Sequence, residues 1–328
     1  MMAETDGVMR PREHLCPTIL IVMAALCSPA FEEPPHLESG KKMQTFDVLT
    51  YVAHTLRAGE RVAVASILCV AVEIMLPYGK VSFASRARGI LFHICYLFIG
   101  GLFFELYHSV IVALHIQPLF SISLDGVLDS PRPVWRATGI ALAIAGAILI
   151  GDLLYYWFHR AQHTFGFLWR FHQVHHSIRE MNVWNCNMHV SEELLRPLVV
   201  TLPMALLIDF HPPFLWSLIG MVILIQGTFE HADTRISFGP ISYLFPDNRF
   251  HRIHHSVELR HYNRNFAAVV TLWDVLFGTA HFPKKGEWPE VGLDYTDEPD
   301  GLVDYLLMPF TVTLPATAVQ DPSQRRTE

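Results

Sequence analysis

His159-Arg-Ala-Gln-His163, His172-Gln-Val-His175-His176 and His251-Arg-Ile-His254-His255 are the densest parts of the stretch that decides how this chain is read. Two single histidines, His189 and His231, fall between these groups. The chain has 19 histidines, and 12 of them lie between residues 159 and 261. Histidines used one at a time in a core would not collect in this way. On a helix, positions i, i+3 and i+4 share a face. His159 and His163 can therefore present two imidazoles side by side. His172, His175 and His176 present three, and His251, His254 and His255 repeat that arrangement. Imidazole suits iron, zinc, copper or nickel, whereas hard oxygen ligands would favour magnesium or calcium. With His189 and His231 the candidate ligands outnumber what one metal takes, roughly four to six, so the set predicts two metals close together. None of these histidines sits in a Cys-x-x-Cys or Glu-x-x-His pattern, which argues against zinc-finger and ferritin-like sites.

The motifs extend beyond the histidines. Asp152-Leu-Leu-Tyr-Tyr-Trp-Phe precedes His159, Ser177 follows the first triplet, and Phe250 and Ser256 flank the second. Asn265-Phe266-Ala267 and Trp273-Asp274-Val-Leu-Phe277-Gly278-Thr279 come after it. In these residues, roughly 138 to 310, the chain resembles the fatty acid hydroxylase and sterol desaturase superfamily of membrane-bound, histidine-rich di-iron oxygenases. The resemblance implies two iron ions (Fe2+/Fe3+) and O2 as co-substrate. It also implies a lipid substrate from the bilayer, of sterol or fatty-acyl type, that is hydroxylated or desaturated. Electrons would come indirectly from NAD(P)H through a separate donor of cytochrome b5, ferredoxin or reductase type. Two positions depart from the family pattern. Asn187-Met-His189-Val190-Ser-Glu192 stands where Arg-x-His-Pro-x-Glu is frequent, and Asn263 stands where Asp is frequent.

Composition points to lipid around this site. Hydrophobic residues make up 51% of the chain and charged residues only 17%, below the roughly 25% of soluble domains, and the mean hydropathy is +0.29. The apolar residues come in runs: 61–77, 90–116, 138–158, 194–208 and 213–229. The last two, separated by Asp209-Phe-His-Pro212, read as a helical hairpin that returns His189 and His231 to the same side. Lys80, Arg86 and Arg88 in one loop, and Arg160, Arg170 and Arg179 around the histidines, place both regions in the cytoplasm by the positive-inside rule. The expected architecture is an all-α, multi-span transmembrane bundle of about four spans with a cytoplasmic helical cap that carries a dinuclear metal site.

Four segments are expected. Residues 1–47 hold an apolar run, 15–31, that reads as a signal sequence, a signal anchor or the product of a misplaced start codon. Residues 48–137 form the first transmembrane helices, 138–282 the catalytic domain, and 283–328 a cytoplasmic tail. The net charge of −7 carries no basic stripe and excludes nucleic acid as an expected partner. The five cysteines show no paired spacing and read as packing residues.

Two divalent metals among neutral imidazoles need nearby negative charge. Asp152, Glu192, Glu230, Asp233 and Asp274 are candidates to accept the second ring N–H of the histidines, which would also fix their tautomers. Two other readings remain open on these residues, a histidine-rich metal carrier or transporter and a structural zinc protein without redox chemistry.

Overall fold

The structure is a computed structural model that describes residues 48–114, 118–212 and 214–315. The apolar run 15–31 and the end of the tail lie outside the described residues. The elements run α1 (Val48–Met75), α2 (Phe83–Ala113), β1 (Phe120–Ser123), a helical turn (Asp125–Leu128), α3 (Pro133–Thr164) and α4 (Gly166–His176). Then come α5 (Glu192–Arg196), a π turn (Pro197–Thr201), α6 (Leu202–Leu207), β2 (Ile208–His211) and α7 (Phe214–Glu230). The cap closes with α8 (Asn248–His254), α9 (Leu272–Leu276) and α10 (Leu302–Thr311).

Helix α3 dictates the layout. Pro133 opens it at a position where a missing N–H costs nothing. Its interior holds Ala, Ile and Leu without a second proline, and extended Phe165 stops it before α4 begins. Its 32 residues span roughly 48 Å at about 1.5 Å per residue. The helix touches the Asp125–Leu128 turn, and His159 and His163 sit in its last turns.

α2 and α3 are the two described helices long and apolar enough to cross a bilayer, and only 28% of each apolar window is buried. Leu102, Leu106 and Leu142 point outward from them. Both are candidate membrane spans by length and composition. Two of the expected runs, 90–116 and 138–158, fall on these helices; the other three take different forms among the described residues. Helix α1 carries Arg57, Glu60 and Arg61 along its length and buries Glu73 in its last turn. The run 194–208 is interrupted by Pro197 and Pro203, whose missing N–H groups break the α ladder into a π turn and two short helices. Helix α7 has 17 residues, about 26 Å of helix against a hydrocarbon core near 30 Å. The all-α expectation also needs amending. β1 and β2 pair in parallel, Phe120 with Ile208 through Ser123 with His211.

Inside, α3, α6, β2 and α7 share a core built on Ala147, Ile148, Met204, Phe210, Leu215 and Trp216. Glu73 fastens the cap to the first two helices. Its buried carboxylate accepts the amides of Val183 and Asp233, each at 2.9 Å, and pairs with Arg86 of α2 at 2.5 Å. Gly89 allows the loop after α4 to approach α2. A Cβ there would lie 2.4 Å from the Trp184 carbonyl oxygen, and the Gly89 carbonyl accepts Asn187 Nδ2 at 2.8 Å. Because main chain cannot swing aside, Gly89→Ala is expected to cost on the order of 1–3 kcal/mol, read as a lower thermal midpoint in detergent. An unchanged midpoint would show that the 182–187 loop yields freely.

Candidate metal centre

The three histidine motifs sit on α3, α4 and α8, and the folded chain brings them together with His231, just past α7. Nine of the expected ten side chains form two buried groups. His159, His163, His172, His176 and His254 make the first; His175, His231, His251 and His255 make the second. Within each group the facing atoms lie within 4.8 Å of one another. The groups adjoin, with the rings of His176 and His255 stacked 4.4 Å apart.

Helix phase explains how the triplets divide. Successive helical residues are rotated by about 100°, so i and i+4 differ by only about 40°. His172 and His176 therefore go to the first group together, as do His159 and His163. His251 and His255 go to the second together. His175 and His254, turned away from those pairs, each serve the opposite group. Both triplets thus feed both groups, which a single shared face would not have done.

The ring tautomers are set from outside. His159 Nδ1 donates to the Phe266 carbonyl at 2.7 Å, His254 Nδ1 to Arg264 at 2.8 Å and His231 Nδ1 to Gly227 at 2.9 Å. His175 Nδ1 donates to Asn187 at 3.3 Å. A carbonyl only accepts, so each of these rings keeps its lone pair on Nε2. His172 Nδ1 meets the Glu192 carboxylate at 3.3 Å and is fixed in the same sense. Yet Nε2 of His159 lies 3.0 Å from Nε2 of His172, and Nε2 of His175 lies 3.3 Å from Nε2 of His231. Lone pairs facing each other at that distance repel. The Nε2 atoms of His163, His176 and His254 are buried with no hydrogen-bond partner among the described residues. Ligands around a metal at about 2.1 Å stand roughly 3.0–3.4 Å apart, so cations among these atoms would resolve both features. The donor set fits a pair of imidazole-preferring metals.

The carboxylates divide into two kinds. Glu192 accepts from His172 and from Gln162 Nε2, and Glu230 Oε2 lies 3.7 Å from His251 Nδ1. Asp152 and Asp274 do not reach a histidine. Asp152 accepts the amides of Ala268, Val269 and Val270 at 3.0–3.1 Å, and Asp274 accepts those of Phe266 and Ala267. Together they hold the segment whose Phe266 carbonyl orients His159. Asp233 accepts the Gly79 amide instead. His189 joins neither group. Its Nε2 donates to the Leu306 carbonyl at 3.3 Å, and its Nδ1 faces Ser191 Oγ at 2.9 Å, so both ring nitrogens are occupied elsewhere. Sequence reasoning missed Asp247, the N-cap of α8, which accepts the amides of Arg249 and Phe250 and so aims His251, His254 and His255. The Pro246-Asp247 pair ahead of a helical run was the available signal.

Residues 144–279 match the family model described as fatty acid hydroxylase. The chain carries a fatty acid hydroxylase domain. In the ornithine lipid hydroxylase OlsE of Rhizobium tropici, 155 residues are 32% identical, covering 47% of this chain and 46% of that protein. Human alkylglycerol monooxygenase is 29% identical over 133 residues, 40% of this chain and 29% of the relative. The fatty acid hydroxylase vlmA of a Lecanicillium species is 31% identical over 159 residues, 44% of this chain and 43% of the relative. The chain thus covers less than half the length of each of these relatives. No solved structure matches it. All nine grouped histidines lie inside the hydroxylase domain.

Burial governs how the cap histidines titrate. It pushes His254 down to about 3 and His231 to about 4. Burial and neighbouring imidazoles hold His175, His176, His251 and His255 well below the ordinary value. The unfolded chain, with ordinary histidines near 6.5, takes up protons first as pH falls. Stability is thus present above about pH 6.5 and is lost as pH falls toward the folded values, each such group adding about 1.4 kcal/mol per pH unit in that window. The thermal midpoint of the metal-free protein is expected to drop steeply between pH 7 and 5. A flat profile across that range would contradict neutral, buried imidazoles.

Proposed function

We propose that the chain is a membrane-bound non-haem di-iron oxygenase that hydroxylates the alkyl portion of a lipid. The observation that carries this reading is the opposed Nε2 lone pairs of His159 with His172 and of His175 with His231. The relatives' names specify an ornithine lipid, an alkylglycerol and a fatty acid. All three carry alkyl chains whose C–H bonds no protein side chain can attack. Iron in the two groups would supply the O2 activation needed for that attack.

The protein's own residues would do the rest. The five imidazoles of the first group and the four of the second hold the metals. Glu192 and Glu230 offset charge at His172 and His251. Asp152 and Asp274, acting through the 266–270 backbone, keep His159 turned inward. Burial excludes water from the site. Hydroxylation consumes one O2, two electrons and two protons, and leaves one water beside the alcohol. We assign those electrons to a separate NAD(P)H-dependent donor of cytochrome b5, ferredoxin or reductase type, docking on the cap. The positive loops support a cytoplasmic cap. Reporter fusions after Ala280 and within residues 120–130 are expected on opposite sides, and the same side for both would overturn that topology.

The metal assignment is tested directly. Protein purified from iron-supplied cells is expected to hold about two irons per chain. His175→Ala and His254→Ala should each remove a large part of that iron and abolish lipid hydroxylation. His189→Ala should keep the iron. A single iron per chain, or equal iron loss from His189→Ala and His254→Ala, would refute the dinuclear reading.

A further inference from the structure

Outside the two histidine groups, a third cluster is built from side chains that the proposed reaction does not use. His261 ends the short 3-10 turn Leu259–His261, while His281 and Glu287 lie on the loop after α9. The three present one donor atom each within 4.8 Å of the others. His261 is only 1% exposed. His261 Nε2 lies 3.4 Å from Glu287 Oε1, and His281 Nε2 lies 3.7 Å from Glu287 Oε2.

These spacings are too long for hydrogen bonds between imidazole and carboxylate, which would be about 2.7–2.9 Å if charge-assisted. They match the edge of a tetrahedron around zinc, roughly 3.4 Å for ligands held at about 2.1 Å. Both histidine Nε2 atoms are buried and without a hydrogen-bond partner among the described residues. The remaining contacts hold the donors in place without competing for them. Ser256 Oγ sits 2.8 Å from His261 Nδ1. Asn265 Oδ1 accepts the His281 amide at 2.7 Å, and Glu287 Oε2 accepts the Lys284 amide at 2.7 Å. A cation at the cluster is Arg260, whose Nη2 lies 3.0 Å from Glu287 Oε1. Its side chain is half exposed and has a second carboxylate, Glu258 Oε2, at 2.6 Å, so it can leave Glu287 without losing its only partner.

We propose that His261, His281 and Glu287 form a third, separate metal site that takes zinc, with water as the fourth ligand. Two imidazoles, one carboxylate and an accessible edge at the partly exposed His281 suit a four-coordinate divalent ion. The ion would clamp the turn after α8 to the loop that leaves the hydroxylase domain. Ser256 directly follows His254 and His255 and touches His261, so the clamp would brace the end of the helix that supplies both histidine groups.

The test counts metals and does not depend on turnover. Full-length protein in detergent is incubated with zinc, desalted, and assayed for zinc and iron by mass spectrometry, alongside His281→Ala, Glu287→Gln and Arg260→Gln. Wild type is expected to keep one more zinc per chain than His281→Ala or Glu287→Gln, with iron the same in all. Gln at 287 can still accept the Lys284 amide, so this variant guards against misfolding at His281→Ala. Arg260→Gln should hold zinc at least as tightly as wild type. The same one-zinc difference should persist in a His175→Ala background, which separates it from whatever the main centre binds. Equal zinc in wild type and Glu287→Gln would overturn the proposal and leave Glu287 as the partner of Arg260.

Discussion

The hydroxylase domain depends on a single electrostatic conflict, the meeting of buried imidazole lone pairs at 3.0 and 3.3 Å. Main-chain carbonyls of Asn187, Gly227, Arg264 and Phe266 each take an Nδ1 proton and force the bare nitrogen inward. Burying so many unmatched acceptors would cost several kcal/mol without a cation. Much of the surrounding architecture serves to hold that arrangement. Glu73 ties α1 and α2 to the segments carrying Val183 and Asp233, and Asp247 caps the helix that presents the second triplet. Asp152 pins the loop behind the first pair.

Side-chain chemistry was legible in the sequence wherever it was local. The i, i+4 pairs at 159/163, 172/176 and 251/255 each stay together in the fold, because helix phase is set by spacing alone. α2 and α3 were legible as long apolar runs. Within the run 194–208 hydropathy does not register that Pro197 and Pro203 divide the backbone into a π turn and short helices. The 61–77 run is the later half of a longer helix that also carries Arg57, Glu60, Arg61 and Glu73.

What the sequence hid was long-range and backbone-borne. No residue type announces that Phe266 or Arg264 will lend a carbonyl to a histidine. Asp152 was visible as a carboxylate on the histidine face of α3, but its partners are three amides more than 100 residues away. His189 looked like its neighbours in type and lay between two apolar runs. The Leu306 carbonyl of α10 and the neighbouring Ser191 hydroxyl hold it away from the groups.

The uninterrupted course of α3 also has a mechanical meaning. One unbroken helix passes from the β1–β2 end to the last turns that carry His159 and His163. The height of those two imidazoles above the hydrocarbon is then fixed by residue count and helix tilt. A thinner bilayer tilts such a helix and lowers its far end. If the chain oxidises a lipid as proposed, membrane thickness would bear on how far along that lipid oxidation falls, with this helix as the depth gauge.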